Sequence, residues 1–353
     1  MAPVFEPHQV DAVMRAAAYR RLDFERAVIW SVKGENDPVI TSLAEPFPST
    51  PIFNLSTLEM LPLELVLSIC LFLDVRSFLT FRQVNRRARV IATSGLHEYR
   101  RVAQYGLESL YAVLRTGEGI WKHYTRLLCT RRCTVCGMGF SNFLHLLAAT
   151  RCCFLCLNSQ PPCLQVTSLS WIAFLVPGKH TGQHYRLLVE KLQPFLRILR
   201  TLPGAYGVGK RPDVVRTSRG LLVEWNQAVN VVRSFGLESE DGRNFVQHPL
   251  WGYYVSTTLP LFDRADGQVQ YGVSCKGCQC AYEDQAARYG SDHGGVLWRR
   301  SMQVYTQQDY LDHFVHCPWA ICLWEASKGG TVQVPDSKEV LWRSRPLKWR
   351  KKP

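Results

Sequence analysis

The sequence predicts a mostly helical α+β protein, an N-terminal three-helix module followed by a zinc-stabilised, irregular α+β body. Three observations carry this. Apolar residues recur at three- and four-residue steps in several separate stretches, which is the helical period. Short β-like runs, Tyr253–Thr257 and Gln268–Val273, lie around an Asp266-Gly267 turn. Cysteines come as C-x-x-C pairs in a chain of 353 residues, long enough for two or three domains. A content of 46% hydrophobic and 20% charged residues is that of a globular chain and excludes general disorder.

Residues 1–37 read as a helical segment, with Val10, Val13, Met14, Ala17, Phe24 and Val28 at helical steps over 7–33. Residues 38–54 form a linker, since Pro38, Pro46, Pro48 and Pro51 interrupt any helix. The three-helix module occupies 55–100. A helix near Gly95–Leu114 and a cysteine-rich stretch fill 101–163. The body, 164–330, has expected helices at Gln183–Leu199, Arg219–Ser234 and Thr306–Ser327. Residues 331–353 are a basic tail. The N-terminus lacks the apolar run of a leader, and no stretch reaches the ~18 charge-free apolar residues of a membrane span. The expectation is an intracellular protein of the cytoplasm, the nucleus or both, without a membrane partner. In such a setting thirteen cysteines point to metal rather than disulfides.

Within the module, Leu58, Leu61, Leu65, Ile69, Phe72 and Leu73 lay one apolar stripe on a helix, with Pro62 in its first turn. Asp74 suits the cap of a second helix carrying Phe78, Leu79 and Val84, and Asn85 the cap of a third, Arg86–Ala92. Helices this short are marginal alone, so the leftover stripe calls for a partner surface. Leu61-Pro62-Leu63-Glu64-Leu65, Ile69, Phe72-Leu73-Asp74 and Gln83-Val84-Asn85-Arg86 resemble the F-box pattern at its spacing. That resemblance implies docking on a Skp-type adaptor, and through it a cullin scaffold. By position the contacts would be Leu61, Pro62, Leu65, Ile69, Leu73 and Val84. Ala88 departs from the pattern, where many members carry a large residue, and is expected to weaken the third helix.

Cys133-Thr-Val-Cys136 and Cys153-Phe-Leu-Cys156, separated by residues 137–152, match the zinc-ribbon template. Two thiolates on one tight knuckle reach one ion at ~2.3 Å, and four close a tetrahedron with no position left for water. Such a site is structural. Cys152 competes with Cys153, and Cys129 and Cys163 are spare. A RING interleaves two ligand sets with histidines among them; only His145 lies in the gap, which excludes it. A second set is Cys275-Lys-Gly-Cys278 with His313 and Cys317, placed one turn apart on the expected 306–327 helix, with Cys280, His316 and Cys322 nearby. A single site mixing both knuckles is the third arrangement.

The order of these pieces is similar to fungal-type F-box domain proteins over roughly residues 55–325. Their cysteine segment is followed by a Leu-Pro-Gly-x-Tyr element, here Leu202–Tyr206, and a Ser-Cys-Lys-Gly-Cys-Gln element, here Ser274–Gln279. Ala149 stands where that family often has one more cysteine, which favours Cys153 and Cys156 as the second pair. Gly204–Lys210 imitates a phosphate cradle, but Arg211 replaces its Ser/Thr and Pro212 disturbs a following helix.

No catalytic constellation stands out. The reading is a non-catalytic substrate receptor of a Skp–cullin–F-box ubiquitin ligase, holding structural zinc and an unidentified protein target. Two alternatives are an F-box interaction protein outside a ligase and a zinc-containing nucleic-acid binder. The second draws on the net charge of +13, much of it at Lys338, Arg343, Arg345, Lys348, Arg350, Lys351 and Lys352. Elsewhere the charge is spread thinly, which argues against a nucleic-acid groove.

Overall fold

The computed structural model describes residues 5–29, 55–73, 75–94, 102–106, 109–110, 112, 126–176, 182–202, 204–208, 214–216, 220–237 and 248–345. The 38–54 linker, the Asp74 cap, most of the helix expected near 95–114 and the basic stretch Lys348–Lys352 lie outside them. The fold is α+β and mostly helical. No helix among the described residues is long and apolar enough to cross a membrane.

The chain opens with α1, Pro7–Ala17, started by a capping box between Glu6 and Gln9 and by proline in its first turn. The run expected over 7–33 is not one helix. Ala18 turns extended, a short strand β1 spans Ala18–Tyr19, and α2 covers Leu22–Ala27. The three-helix segment follows as α3 (Leu63–Phe72), α4 (Val75–Val84) and α5 (Arg86–Ser94). Pro62 is the N-cap of α3, and its carbonyl accepts from the Leu65 and Val66 N–H groups at 3.0 and 3.2 Å. The Asn85 side chain accepts from the Ala88 N–H at 2.8 Å, capping α5 as its residue type suggests.

Beyond it come β2 (Phe143–His145), β3 (Thr150–Cys152), α6 (Phe154–Ser159) and β4 (Val166–Ser168). The helix expected over 183–199 stops early, as α7 (Gln183–Leu192), because Pro194 cannot continue it; strand β5 takes Ile198–Arg200. Two further strands are β6 (Gly204–Tyr206) and β7 (Val214–Arg216). Arg219–Ser234 also divides. Its front is β8 (Leu221–Glu224), whose Leu222 and Val223 are buried on opposite faces, and only Trp225–Ser234 is helical, α8. The run Tyr253–Thr257 straddles a helical turn, α9 (Trp251–Tyr254), and strand β9 (Ser256–Thr258). Strands β10 (Leu261–Phe262) and β11 (Val269–Gln270) flank the Asp266-Gly267 turn, where Gly267 has φ +71°. Last come β12 (Ser274–Cys275), α10 (Lys276–Tyr289), α11 (Val296–Ser301), α12 (Gln307–Phe314), α13 (Pro318–Ala326) and α14 (Lys338–Arg343).

These strands pair antiparallel in small sheets, ordered β3-β2-β9 and β4-β8-β5, with β6-β7, β10-β11 and β1-β12 as two-stranded pairs. The main core joins α2 to the three-helix segment and the β3-β2-β9 sheet: Phe24 stacks on Phe154 at 4.2 Å, while Cys70, Phe78, Leu79 and Ala92 enter the same cluster. A second cluster packs α1 against β12, α12 and α13. The N-terminal segment is thus part of the body and not an appendage. The C-terminal basic stretch also begins folded. In α14, Val340 is buried and Arg343 donates to the Asp23 carboxylate at 3.0 Å, beside Arg21 at 2.6 and 2.7 Å.

Arg151 of β3 is wholly buried and, among the described residues, has no carboxylate as a hydrogen-bond partner. Its guanidinium donates to the carbonyls of Leu127 (2.8 Å), Leu128 (3.2 Å), Ser141 (2.6 Å), Leu259 (2.7 Å) and Pro260 (2.9 Å). A planar fork with five N–H groups is the side chain that can serve so many acceptors at once. Replacing it with methionine keeps the bulk and strands the carbonyls, each at a cost of ~1–3 kcal/mol. Arg151→Met should therefore lose upwards of about 3 kcal/mol in denaturant unfolding, and Arg151→Lys should recover only part. A loss below about 1 kcal/mol would refute this account of the carbonyl cradle.

Candidate functional site

Two clusters of metal-competent side chains form. In the first, Cys133 and Cys136 sit on a knuckle closed by the Gly137 N–H to Cys133 carbonyl bond (2.9 Å) and the Cys133 N–H to Gly139 carbonyl bond (3.2 Å). Gly137 and Gly139 have φ +71° and +69°, which a side chain would strain. Cys153 is the N-cap of α6 and Cys156 lies in its first turn. The Thr134 N–H and hydroxyl both reach the Arg151 carbonyl, at 3.0 and 2.7 Å, so the buried arginine's own backbone registers the knuckle against β3. Cys152 belongs to the apolar core, not to this cluster, and wholesale burial pushes its thiol well up. His145 is likewise buried in β2, where burial holds its imidazole down to about 4 and its Nδ1 accepts from the Ala148 N–H at 3.2 Å.

The second cluster brings together Cys275, Cys278, His313 and Cys317. Cys275 caps α10 and accepts the Cys278 N–H at 3.3 Å. His313 and Cys317 are not one turn apart on a single helix. Pro318 disfavours helical backbone at Cys317 and so splits the expected helix; Cys317 becomes the N-cap of α13 while His313 lies in the last turn of α12. His313 turns Nε2 to the Cys278 sulfur at 3.4 Å, and its Nδ1 meets the Tyr305 hydroxyl at 3.3 Å. Tyr305 is thus an orienting partner of the ring, a role no spacing in the sequence announces. Gly277 is needed for approach rather than for turning: a Cβ there would lie 2.4 Å from the Ala320 nitrogen.

The ligand atoms of each cluster lie within 4.8 Å of one another. Thiolates at ~2.3 Å around a tetrahedral zinc ion stand about 3.8 Å apart. The sulfurs of Cys136 and Cys153 are 3.9 Å apart, Cys275 and Cys317 3.9 Å, Cys278 and Cys317 3.6 Å. Both clusters therefore fit a metal ion, and they form two sites rather than one mixed site. Among the described residues no other group of this kind forms. On their own, thiols this close cannot all ionise. A hydrogen bond from Cys153 pulls Cys133 down to about 4, and the same bond, reinforced by burial, pushes Cys153 far up. In the second cluster, hydrogen bonds from Cys275 and Cys278 drive Cys317 down, while Cys278 is driven far up by its bonds to those partners. A bound dication removes this conflict by stabilising every thiolate at once.

The three-helix segment presents its remaining face to solvent. Leu65 is 51% exposed, Ile69 45%, Leu61 37% and Val84 67%, with Pro62 exposed beside them and Leu73 half-buried. Met60, Leu63 and Phe72 are exposed as well. Its inner side is closed by Leu55, Val66, Ala88 and Ile91. Residues 58–95 match the family model of the F-box domain. Comparison with curated proteins and with solved structures gave no match. Within the F-box, Ala88 is fully buried against Val66 and Ile91. Glu59 further ties the entry turn to α5, accepting from Leu55 N–H at 2.7 Å and from Arg87 at 3.0 Å.

In the chain loaded with zinc at both clusters, Gly277→Ala should push α10 off α13 and lower the metal content by one ion per chain in elemental mass spectrometry, leaving the first cluster loaded. Unchanged metal content in that variant would show that the close approach is not what positions the second cluster.

Proposed function

We propose that this chain is a non-catalytic substrate receptor of a Skp–cullin–F-box ubiquitin ligase. The observation that carries the reading is the F-box at 58–95 with an apolar face turned to solvent. Leu61, Pro62, Leu65, Ile69, Leu73 and Val84 supply the adaptor contacts; Leu73, half-buried, contributes least. Burying such a face against a Skp-type groove stabilises the complex by ~25 cal/mol for each Å² of apolar surface covered. The cullin and the ubiquitin chemistry belong to other subunits.

Zinc fills both clusters on this reading. Sulfur-rich tetrahedral donor sets select it, and neither four thiolates nor three thiolates with an imidazole leave an open position, so the ions hold shape. Cys133, Cys136, Cys153 and Cys156 would hold one ion, and Cys275, Cys278, His313 and Cys317 the other. Each structural ion contributes on the order of 10 kcal/mol to folding. The zinc-held body recognises the target, in the cytoplasm or the nucleus, and its likeness to fungal-type F-box proteins supports that division of labour. A nucleic-acid role is less well supported: Arg343 is committed to the Asp23 ion pair.

Changing Leu61, Pro62 and Leu65 together to alanine should abolish pull-down of a Skp-type adaptor by the full chain, at least a hundredfold, with zinc content and thermal unfolding unchanged. Retained binding by the folded triple variant would sink the proposal.

A further inference from the structure

The two clusters differ in how far reagents can reach them. In the second, Cys275, Cys278 and Cys317 are buried and only His313 is part-exposed. In the first, Cys136 is exposed and Cys153 half-exposed, while Cys133 and Cys156 are buried. Moreover Cys136, Cys153 and Cys156 line one groove of about 550 Å³ between the knuckle, α6 and α11, walled by Met138, Phe140, Phe154 and Trp298. That volume holds many molecules the size of water, which takes ~30 Å³ in the liquid. Structural zinc–thiolate sites are ordinarily closed; this one opens onto a cavity.

Resting on the zinc reading of the first cluster, we propose that Cys136 and Cys153 form a peroxide-reactive pair, which releases the first zinc ion while the second stays bound. Two facts give the pair its chemistry. Four thiolates around a dication keep a net double negative charge, against a single one for three thiolates and a neutral histidine, so the first centre is the richer nucleophile. The two most accessible sulfurs, 3.9 Å apart, are also neighbours. The Cys136 thiolate attacks the peroxide: an S–O bond forms, the O–O bond breaks, and hydroxide leaves. The Cys153 thiolate then attacks that sulfur; an S–S bond forms, the S–O bond breaks, and a second hydroxide leaves. Two sulfurs lose two electrons in all and the peroxide gains two. With two ligands gone, Cys133 and Cys156 cannot hold the ion.

The consequence reaches the groove, because the knuckle and α6 form its walls. Oxidation would exchange a four-ligand clamp for a single Cys136–Cys153 bond and free Cys133 and Cys156, reshaping the apolar cavity without touching the F-box face and making target recognition dependent on the redox state of the cell. Thiol reductant with zinc restores it.

The test uses the full zinc-loaded chain, with zinc content measured first. Hydrogen peroxide is added, zinc release is followed with a colorimetric chelator, and thiols are mapped by differential alkylation and mass spectrometry. One zinc ion should leave at least tenfold faster than the other, together with a Cys136–Cys153 disulfide, and return after reduction. Simultaneous loss of both ions, earlier loss from the second cluster, or a disulfide elsewhere overturns the proposal while leaving the zinc reading intact. A chain that binds no zinc at the first cluster overturns both. A variant check separates mechanism from fragility: Cys163→Ser with Cys322→Ser removes two other exposed thiols and should leave the fast phase unchanged. Disappearance of that phase assigns it to those thiols and overturns the proposal.

Discussion

The body of this protein depends on one buried guanidinium. Its strands span only two to four residues each, too few for ladder bonds to fix their arrangement, and the segments that must meet lie far apart in the chain. Arg151 gathers the carbonyls of 127–128, 141 and 259–260, and its own carbonyl anchors Thr134 on the first knuckle. A single charge shared among backbone dipoles ties these segments together inside the apolar core. Burying an arginine without a carboxylate is expensive in general. Here the expense is offset because its N–H groups supply partners to the carbonyls of Leu128, Ser141, Leu259 and Pro260, and a second partner to that of Leu127.

Two sulfur clusters gather further segments of the body. The first joins a glycine knuckle to the start of α6, the second joins the start of α10 to the junction of α12 and α13. In both, a cysteine serves as an N-cap, so the ligand thiolate also faces the positive end of a helix. Strand β1 pairs with β12 at Ala18 and Cys275, which brings the N-terminal residues directly against the second cluster. Asp23, held between Arg21 and Arg343, closes the C-terminal helix onto the same region. Arg343 also pairs with the Glu339 carboxylate at 3.9 Å, so two arginines face two carboxylates. Arg21 further donates to the Ser301 carbonyl at 3.0 Å and lies 3.8 Å over the Phe24 ring.

How much of this is legible in the sequence differs by kind of feature. The F-box is readable because its signal is local: a Leu-Pro start, an aliphatic stripe and an Asn cap act within one short stretch. The cysteine sets are readable because a knuckle needs two ligands at fixed spacing, and both quartets of ligands come together as that spacing implies. Helix limits are less legible. Apolar periodicity runs on past Pro194 and Pro318, and misses that Leu221–Glu224 is a central strand whose both faces are covered. Tyr305, Asp23 and Arg151 are invisible, since their partners lie up to hundreds of residues away and nothing in their neighbourhoods marks them. The basic C-terminal stretch reads as a free tail for the same reason.

The docking module is not carried on the end of the chain. Residues before it, in α2, and residues after it, in the β3-β2-β9 sheet, share one core with its inner side chains Cys70, Phe78, Leu79 and Ala92. The F-box is therefore an insertion braced by the body it serves. On the proposed receptor role, this makes the chain a ruler rather than a tether: a target held by the body stands at a set distance and angle from the adaptor. Which of the target's lysines face the incoming ubiquitin would then follow from that geometry, and a target bound in the wrong orientation would be recognised yet spared.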